Sequence, residues 1–213
     1  MTTTGQIPRI GETAPDFTAV TTHGEIQFSN WHGGQWTILF SHPADFTPVC
    51  STELVAFAER YDEFARRNTK IIGVSVDSVH SHLAWIENLR ANLGVRVPYP
   101  LVADSNRAVS ELFGMIHPGA SATATVRALF FIDPKRVVRA VIYYPLNIGR
   151  NVDEVLRVLD AFHTVDTNAV ACPVNWRPGE KVIVPPPKTM AEVDQRLASD
   201  HEKVDFYLMR RSL

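Results

Sequence analysis

The chain has 213 residues, 45% of them hydrophobic and 21% charged, with a formal net charge of -2. This supports one sizeable globular domain with an appendage. The balanced charge, with no Lys/Arg run longer than two, excludes an electrostatically recruited partner such as nucleic acid or an anionic membrane. No run of about 18 apolar residues occurs, so no membrane-spanning helix is expected. The opening MTTTGQIPRIGETAPDF lacks the basic start and apolar core of a signal peptide, which points to the cytoplasm. In that reducing compartment Cys50 and Cys172, the two cysteines, are reactive or inert thiols rather than structural staples.

In chain order, Trp36–Ser41 (WTILFS) reads as a strand. After the loop His42–Thr47, Pro48 opens a segment in which Leu54, Phe57, Ala58, Tyr61, Phe64 and Ala65 form the apolar stripe of a helix. Ile71–Val76 (IIGVSV) is continuous and β-branched, as buried strands are. Ser78 can cap a following helix, with Val79, Leu83, Ile86 and Leu93 facing inward. A short strand is expected over 98–102 and a short helix over 106–113. Val126–Ile132 and Val137–Tyr143 flank Asp133-Pro134-Lys135-Arg136 as a hairpin, and Val155, Leu156, Leu159 and Phe162 again recur at helical spacing. The pattern predicts an α/β domain with a central mixed sheet covered by helices, a layout that fits the thioredoxin-like fold. We place the domain at 1–167 and a C-terminal arm at 168–213. The arm carries the proline-rich VIVPPPK, a short charged helical stretch and the tail YLMRRSL, and it cannot bury much surface by itself.

Cys50 stands where thiol chemistry would place it. With Thr47 as N-cap and Pro48 first in the helix, Cys50 is the third helical residue, near unpaired N–H groups and the positive helix end. Both favour thiolate over thiol. A buried, inert cysteine is the competing reading from position alone.

The surrounding residues narrow the choice. His42–Glu53 (HPADFTPVCSTE) holds Pro43, Thr47 and Cys50 in the pattern P-x-x-x-T-x-x-C, and resembles the active-site signature of peroxiredoxins. FSHPADFTPVCSTEL over 40–54 is similar to the one-cysteine-type subfamily. VRALFFIDP over 126–134 puts Arg127 at the place of that family's catalytic arginine. GRNVDEVLRVLDA over 149–161 resembles its last core helix, and PVNWRPGE over 173–180 the start of its C-terminal dimerisation arm. The resemblance implies a thiol-dependent peroxidase that reduces hydrogen peroxide and organic hydroperoxides through a Cys50 sulfenic acid, with no cofactor and no metal.

A lowered thiol pKa cannot supply most of such a rate. A fall from about 8.5 to about 6 raises the thiolate fraction near neutral pH roughly 30-fold but lowers intrinsic nucleophilicity roughly 10-fold. Positioning the O–O bond and stabilising its charge must do the rest. That gives roles to Thr47 as a hydrogen-bonding partner of the peroxide, to the Cys50 N–H as a donor, to Arg127 as a forked cation and to Pro43 as a wall against water. Each also has a plainer role. Thr47 could only cap, Pro43 could only shape the loop, and Arg127 could only pair with an acid such as Glu53.

Cys172 departs from the one-cysteine pattern. ACPVNWRPG over 171–179 is similar to the segment bearing the resolving cysteine of typical two-cysteine peroxiredoxins. This implies attack by Cys172 of one subunit on the Cys50 sulfenic acid of its partner. The protein would then be a homodimer, with assembly to a decamer open, reduced by a thioredoxin-like protein or a small thiol. The alternatives are a one-cysteine cycle closed by an external thiol and a redox-sensor or holdase role. A dithiol oxidoreductase would want C-x-x-C, and the chain has Val49-Cys50-Ser51-Thr52-Glu53. His80 and His82 lack partners at zinc spacing and read as a solvated helix start. His42 could tune Cys50 or shape its loop. Trp85 reads as core. Gln35 stands before Trp36 where a lipase-like serine would be wanted, and no G-x-S-x-G occurs, so no lipase activity is expected.

Overall fold

A computed structural model describes residues 7–200 and 202–213. The chain divides into two compact units, one ending at Val152 and one beginning at Asp153. In the first, a hairpin of β1 (Thr18–Thr21) and β2 (Gly24–Gln27) leads into α1 (Phe28–His32), β3 (Trp36–Ser41), α2 (Pro48–Glu59) and α3 (Tyr61–Arg66). β4 (Thr69–Ser75), α4 (Val79–Leu93), β5 (Leu101–Ala103), α5 (Ala108–Leu112), β6 (Arg127–Ile132) and β7 (Val138–Tyr144) follow.

The strands form one mixed sheet in the order β2-β1-β5-β4-β3-β6-β7, with β3, β4 and β5 parallel and the other neighbours antiparallel. Every residue of β3 and β6 is buried, so both faces of the sheet centre are covered. Alternation separates two packing layers. Leu39, Ile72, Val74, Val102, Ala128 and Phe130 pack with Phe28, Val109 and Phe113 on one side. Ile38, Phe40 and Leu129 point to the other, where Phe40 stacks on Phe57 of α2 with ring centroids 4.8 Å apart. Tyr99 adds a strut by donating its hydroxyl proton to the Leu54 carbonyl at 3.0 Å. A Cβ at Gly73, at the sheet centre, would lie 2.5 Å from Leu101 Cδ2 and force that side chain to shift.

Two expectations are corrected. The helix read from Pro48 onward breaks at Arg60 into α2 and α3, leaving Ala65 exposed. The buried face of α4 is His82, Trp85 and Leu89, whereas Leu83 and Leu93 are 48% and 56% exposed. Ser78 does cap α4, accepting from the Ser81 N–H at 3.2 Å. β1, β2 and α1 were not anticipated.

The second unit holds most of α6 (Val152–Asn168), then β8 (Val182–Ile183), α7 (Met190–Ala198), β9 (Lys203–Asp205) and β10 (Leu208–Arg211). β8, β10 and β9 make a small antiparallel sheet. Val170, Trp176 and Val182 pack together with Ala161 of α6 and Cys172. This cluster ties α6 to the residues after it, so the units part at 152/153, ahead of 167/168. No helix among the described residues is long and apolar enough to cross a membrane.

Candidate active site

The site grows out of the junction between β3 and α2. Phe46 adopts φ 54, a conformation uncommon for a bulky residue, and turns the loop so that Thr47 enters α2 extended. Thr47 is the N-cap by position, Pro48 is N1 and Cys50 is N3. The Thr47 hydroxyl, however, does not cap the helix. It donates to the Ala44 carbonyl at 2.9 Å. The first intrahelical bond runs from the Ser51 N–H to the Thr47 carbonyl, which leaves the Cys50 N–H among the orphan donors of the first turn.

Arg127 opens β6 on the same side of the sheet as Leu129, and hence on the α2 side. Ser41 fixes that register, donating to the Val126 carbonyl at 2.6 Å and accepting from the Ala128 N–H at 3.1 Å. Arg127 Nη1 donates to Glu53 Oε2 at 2.6 Å and lies 3.4 Å from Cys50 Sγ. Its Nε and Nη2 donate to the Leu146 carbonyl at 3.0 and 2.7 Å. The expected choice between pairing with Glu53 and facing the thiol therefore does not arise, because one nitrogen does both.

Sequence reasoning missed Arg150. Its N–H and Nε donate to Glu53 Oε1 at 2.8 Å, Nη2 donates to Oε2 at 2.7 Å, and Nη1 donates to the Ala128 carbonyl at 2.7 Å. Its guanidinium also lies over the Phe40 ring at 5.0 Å. Burial would push the Glu53 carboxyl up. The adjacent Arg150 and, less strongly, Arg127 more than offset this and hold it below the ordinary range. Glu53 with two arginines thus leaves net charge +1 around Cys50. The signal available in the sequence was only a lone Arg before a helix, 97 positions from its partner.

Pro43 and Thr47 are half-buried on the loop; Cys50 is fully buried. His82 is not solvated, as the sequence suggested, but fully buried, with Nδ1 2.8 Å from Asp45 Oδ2 and Nε2 3.1 Å from the Val102 carbonyl. Polar partners make that burial tolerable. His42 is buried too, with Nε2 2.9 Å from Asp45 Oδ1, and Trp85 is core as expected.

Cys172 lies in the other compact unit. Its half-buried thiol points to the Ala161 carbonyl at 3.9 Å, under the Trp176 cluster. Burial pushes its pKa up, only partly offset by Arg157. Neither cysteine is in a disulfide.

Residues 10–141 match the AhpC/TSA family, and residues 161–199 match the C-terminal domain of 1-Cys peroxiredoxin. A peroxiredoxin of Aquifex aeolicus (strain VF5) is 49% identical over 217 residues, covering 97% of this chain and 98% of its own. Among solved structures, a yeast mitochondrial 1-Cys peroxiredoxin, whose thiol is resolved via glutathione/thioredoxin systems, superposes with a TM-score of 0.88 at 40% identity, over 97% of this chain and 100% of that one. A mutant of the peroxiredoxin 6 of Arenicola marina gives a TM-score of 0.85 at 34% identity, over 96% and 97%.

Proposed function

The chain belongs to the peroxiredoxin family of thiol-dependent peroxidases, and on that footing we propose that Cys50 is its peroxide-reacting nucleophile, served by Arg127, Thr47 and Pro43. The observation that carries this reading is the single Arg127 nitrogen shared by Cys50 Sγ and Glu53 at the first turn of α2. A Cys50 thiolate neutralises the net positive charge of that buried set.

The Cys50 thiolate attacks the terminal peroxide oxygen. An S–O bond forms as the O–O bond breaks, sulfur is oxidised to sulfenic acid, and the departing alkoxide or hydroxide takes a proton from solvent. Because the Thr47 proton is committed to Ala44, its lone pairs are left to accept the peroxide O–H. The orphan N–H of Cys50 donates to a peroxide oxygen. Arg127 stabilises the charge that moves from sulfur to the leaving oxygen. Pro43, half-buried and without an N–H, walls the loop side. Cys50→Ser should abolish hydrogen peroxide consumption, followed with a thiol reductant, while circular dichroism shows an intact fold. Undiminished turnover would sink the assignment.

For the second half of the cycle we favour attack by Cys172 of a partner subunit, giving an intersubunit disulfide in a homodimer, then reduction by a thioredoxin-like protein or a small thiol. The cytoplasm is the compartment that suits this chemistry. A second reading is a one-cysteine cycle closed by an external thiol. It draws on the 1-Cys match over 161–199 and on the buried setting of Cys172. Non-reducing electrophoresis after one equivalent of peroxide separates them: a dimer band that Cys172→Ser removes supports the first, monomer bands alone the second.

A further inference from the structure

The Cys50 site does not use a second buried array beside it. His42 follows β3 directly, Asp45 sits in the active loop and His82 lies in the first turns of α4, and all three side chains are buried. His42 Nε2 meets Asp45 Oδ1 at 2.9 Å, His82 Nδ1 meets Asp45 Oδ2 at 2.8 Å, and His82 Nε2 meets the Val102 carbonyl of β5 at 3.1 Å.

The partners fix the protons. A backbone carbonyl can only accept, so His82 Nε2 donates to it. Burial would raise the Asp45 carboxyl, but hydrogen bonds from His42 and His82 override it and keep Asp45 ionised far below the usual range. Asp45 is therefore an acceptor as well, so both ring nitrogens of His82 face acceptors, Asp45 on one side and the Val102 carbonyl on the other. His42 donates through Nε2 alone; burial holds it below its ordinary pKa, and its Nδ1 has no partner among the described residues. Among the described residues a further charged group facing the array is Asp77, whose Oδ2 accepts from the Asp45 N–H at 3.1 Å and from the Ser75 hydroxyl at 2.7 Å. From the remaining side comes the Trp85 ring, 5.2 Å from that of His42.

We propose that His82 and Asp45 are positioning residues for the peroxide reaction: a buried, hydrogen-bonded pair, anchored on α4 and β5, that clamps the loop carrying Pro43 and Thr47. The clamp has work to do. The loop holds Phe46 at positive φ while the residue is 55% exposed, its ring 6.3 Å from that of Trp85, so the conformation needs support from the rest of the loop. Asp45 is bonded from both ends of the loop's surroundings, one residue from Phe46 and two from Thr47. This inference rests on the reading of Cys50 as the peroxide nucleophile.

The test compares two electrophiles at Cys50. Hydrogen peroxide needs Thr47 and the loop in place, whereas iodoacetamide needs only the thiolate. In Asp45→Asn and His82→Gln, stopped-flow oxidation by hydrogen peroxide should slow at least 10-fold, with alkylation within 2-fold of the parent. Parallel losses in both reactions, or no loss with peroxide, would overturn the proposal. Nitrogen-15 NMR of the unmutated protein gives a readout that does not depend on how the variants fold: both ring nitrogens of His82 should carry protons, and a neutral ring, or a stoichiometric divalent metal held on it, would equally overturn it. Failure of the unmutated protein to consume peroxide through Cys50 would instead count against the Cys50 reading.

Discussion

Arg127 touches three partners, and each sets a different consequence of losing it. Arg127→Met removes the cation beside Cys50 Sγ, and the thiolate–peroxide step should slow by two or more orders of magnitude in stopped-flow oxidation, the scale on which a preorganised donor acts. Stability is a separate matter. The buried guanidinium gives the Leu146 carbonyl two hydrogen bonds. Leaving that carbonyl unpaired should cost about 1–3 kcal/mol in urea denaturation. Glu53 makes a sharper case. Its removal strands two arginines, so Glu53→Gln should destabilise by about 3 kcal/mol or more at neutral pH. The sign with pH follows from its depressed pKa. Its contribution is complete above the unfolded-state carboxyl pKa and is lost as pH falls through the lower folded-state value. Urea midpoints measured on acidification should therefore fall more steeply for the parent than for Glu53→Gln, and parallel curves would contradict the role of Glu53.

At the scale of elements, what could be read from the sequence depended on whether burial was apolar and local. β3, β4 and β6 were legible because central strands are continuous apolar runs, and α2 was legible with Cys50 at its third position because Thr47 and Pro48 mark the start. β1 and β2 were not, since four-residue strands with mixed exposure carry no period. The face of α4 was misread for a physical reason. Hydrophobic periodicity counts only apolar residues, and this helix buries a histidine that finds its acceptors on a loop and on β5. Arg150 was illegible for the same reason, its burial being made possible by a residue far away in sequence. The correction can be checked on α4 itself. Leu89, 2% exposed, should cost about 2–4 kcal/mol on truncation to Ala, while Leu93→Ser should shift stability by less than about 0.5 kcal/mol in the same melts.

At the scale of the whole molecule, the thioredoxin-like fold ends its sheet on β2 and β7; Val138 at the start of β7 bonds outward to Gly11 and Glu12, and β2 and the rest of β7 carry no further strand among the described residues. Open edges invite pairing with another chain. The second unit adds exposed Val174, Met190, Val204 and Tyr207. Both features suit the homodimer that an intersubunit cycle requires. The rate of that cycle should then be governed by the environment of Cys172. The attacking species is a thiolate, yet burial under the Trp176 cluster raises the Cys172 pKa and the thiol faces the Ala161 carbonyl, which favours the protonated form. Disulfide formation should therefore be slow at neutral pH and accelerate as pH climbs through and beyond the ordinary thiol range. The slower it is, the longer the Cys50 sulfenic acid stays open to a second oxidation to sulfinic acid. Rapid acid-quench and mass spectrometry of the Cys50 peptide across pH gives both quantities at once. Disulfide yield should rise and sulfinic acid fall with increasing pH, and Cys172→Ser should erase that dependence while leaving the first oxidation of Cys50 at its parent rate. A sulfinic fraction that ignores both pH and Cys172 would place resolution with an external thiol instead.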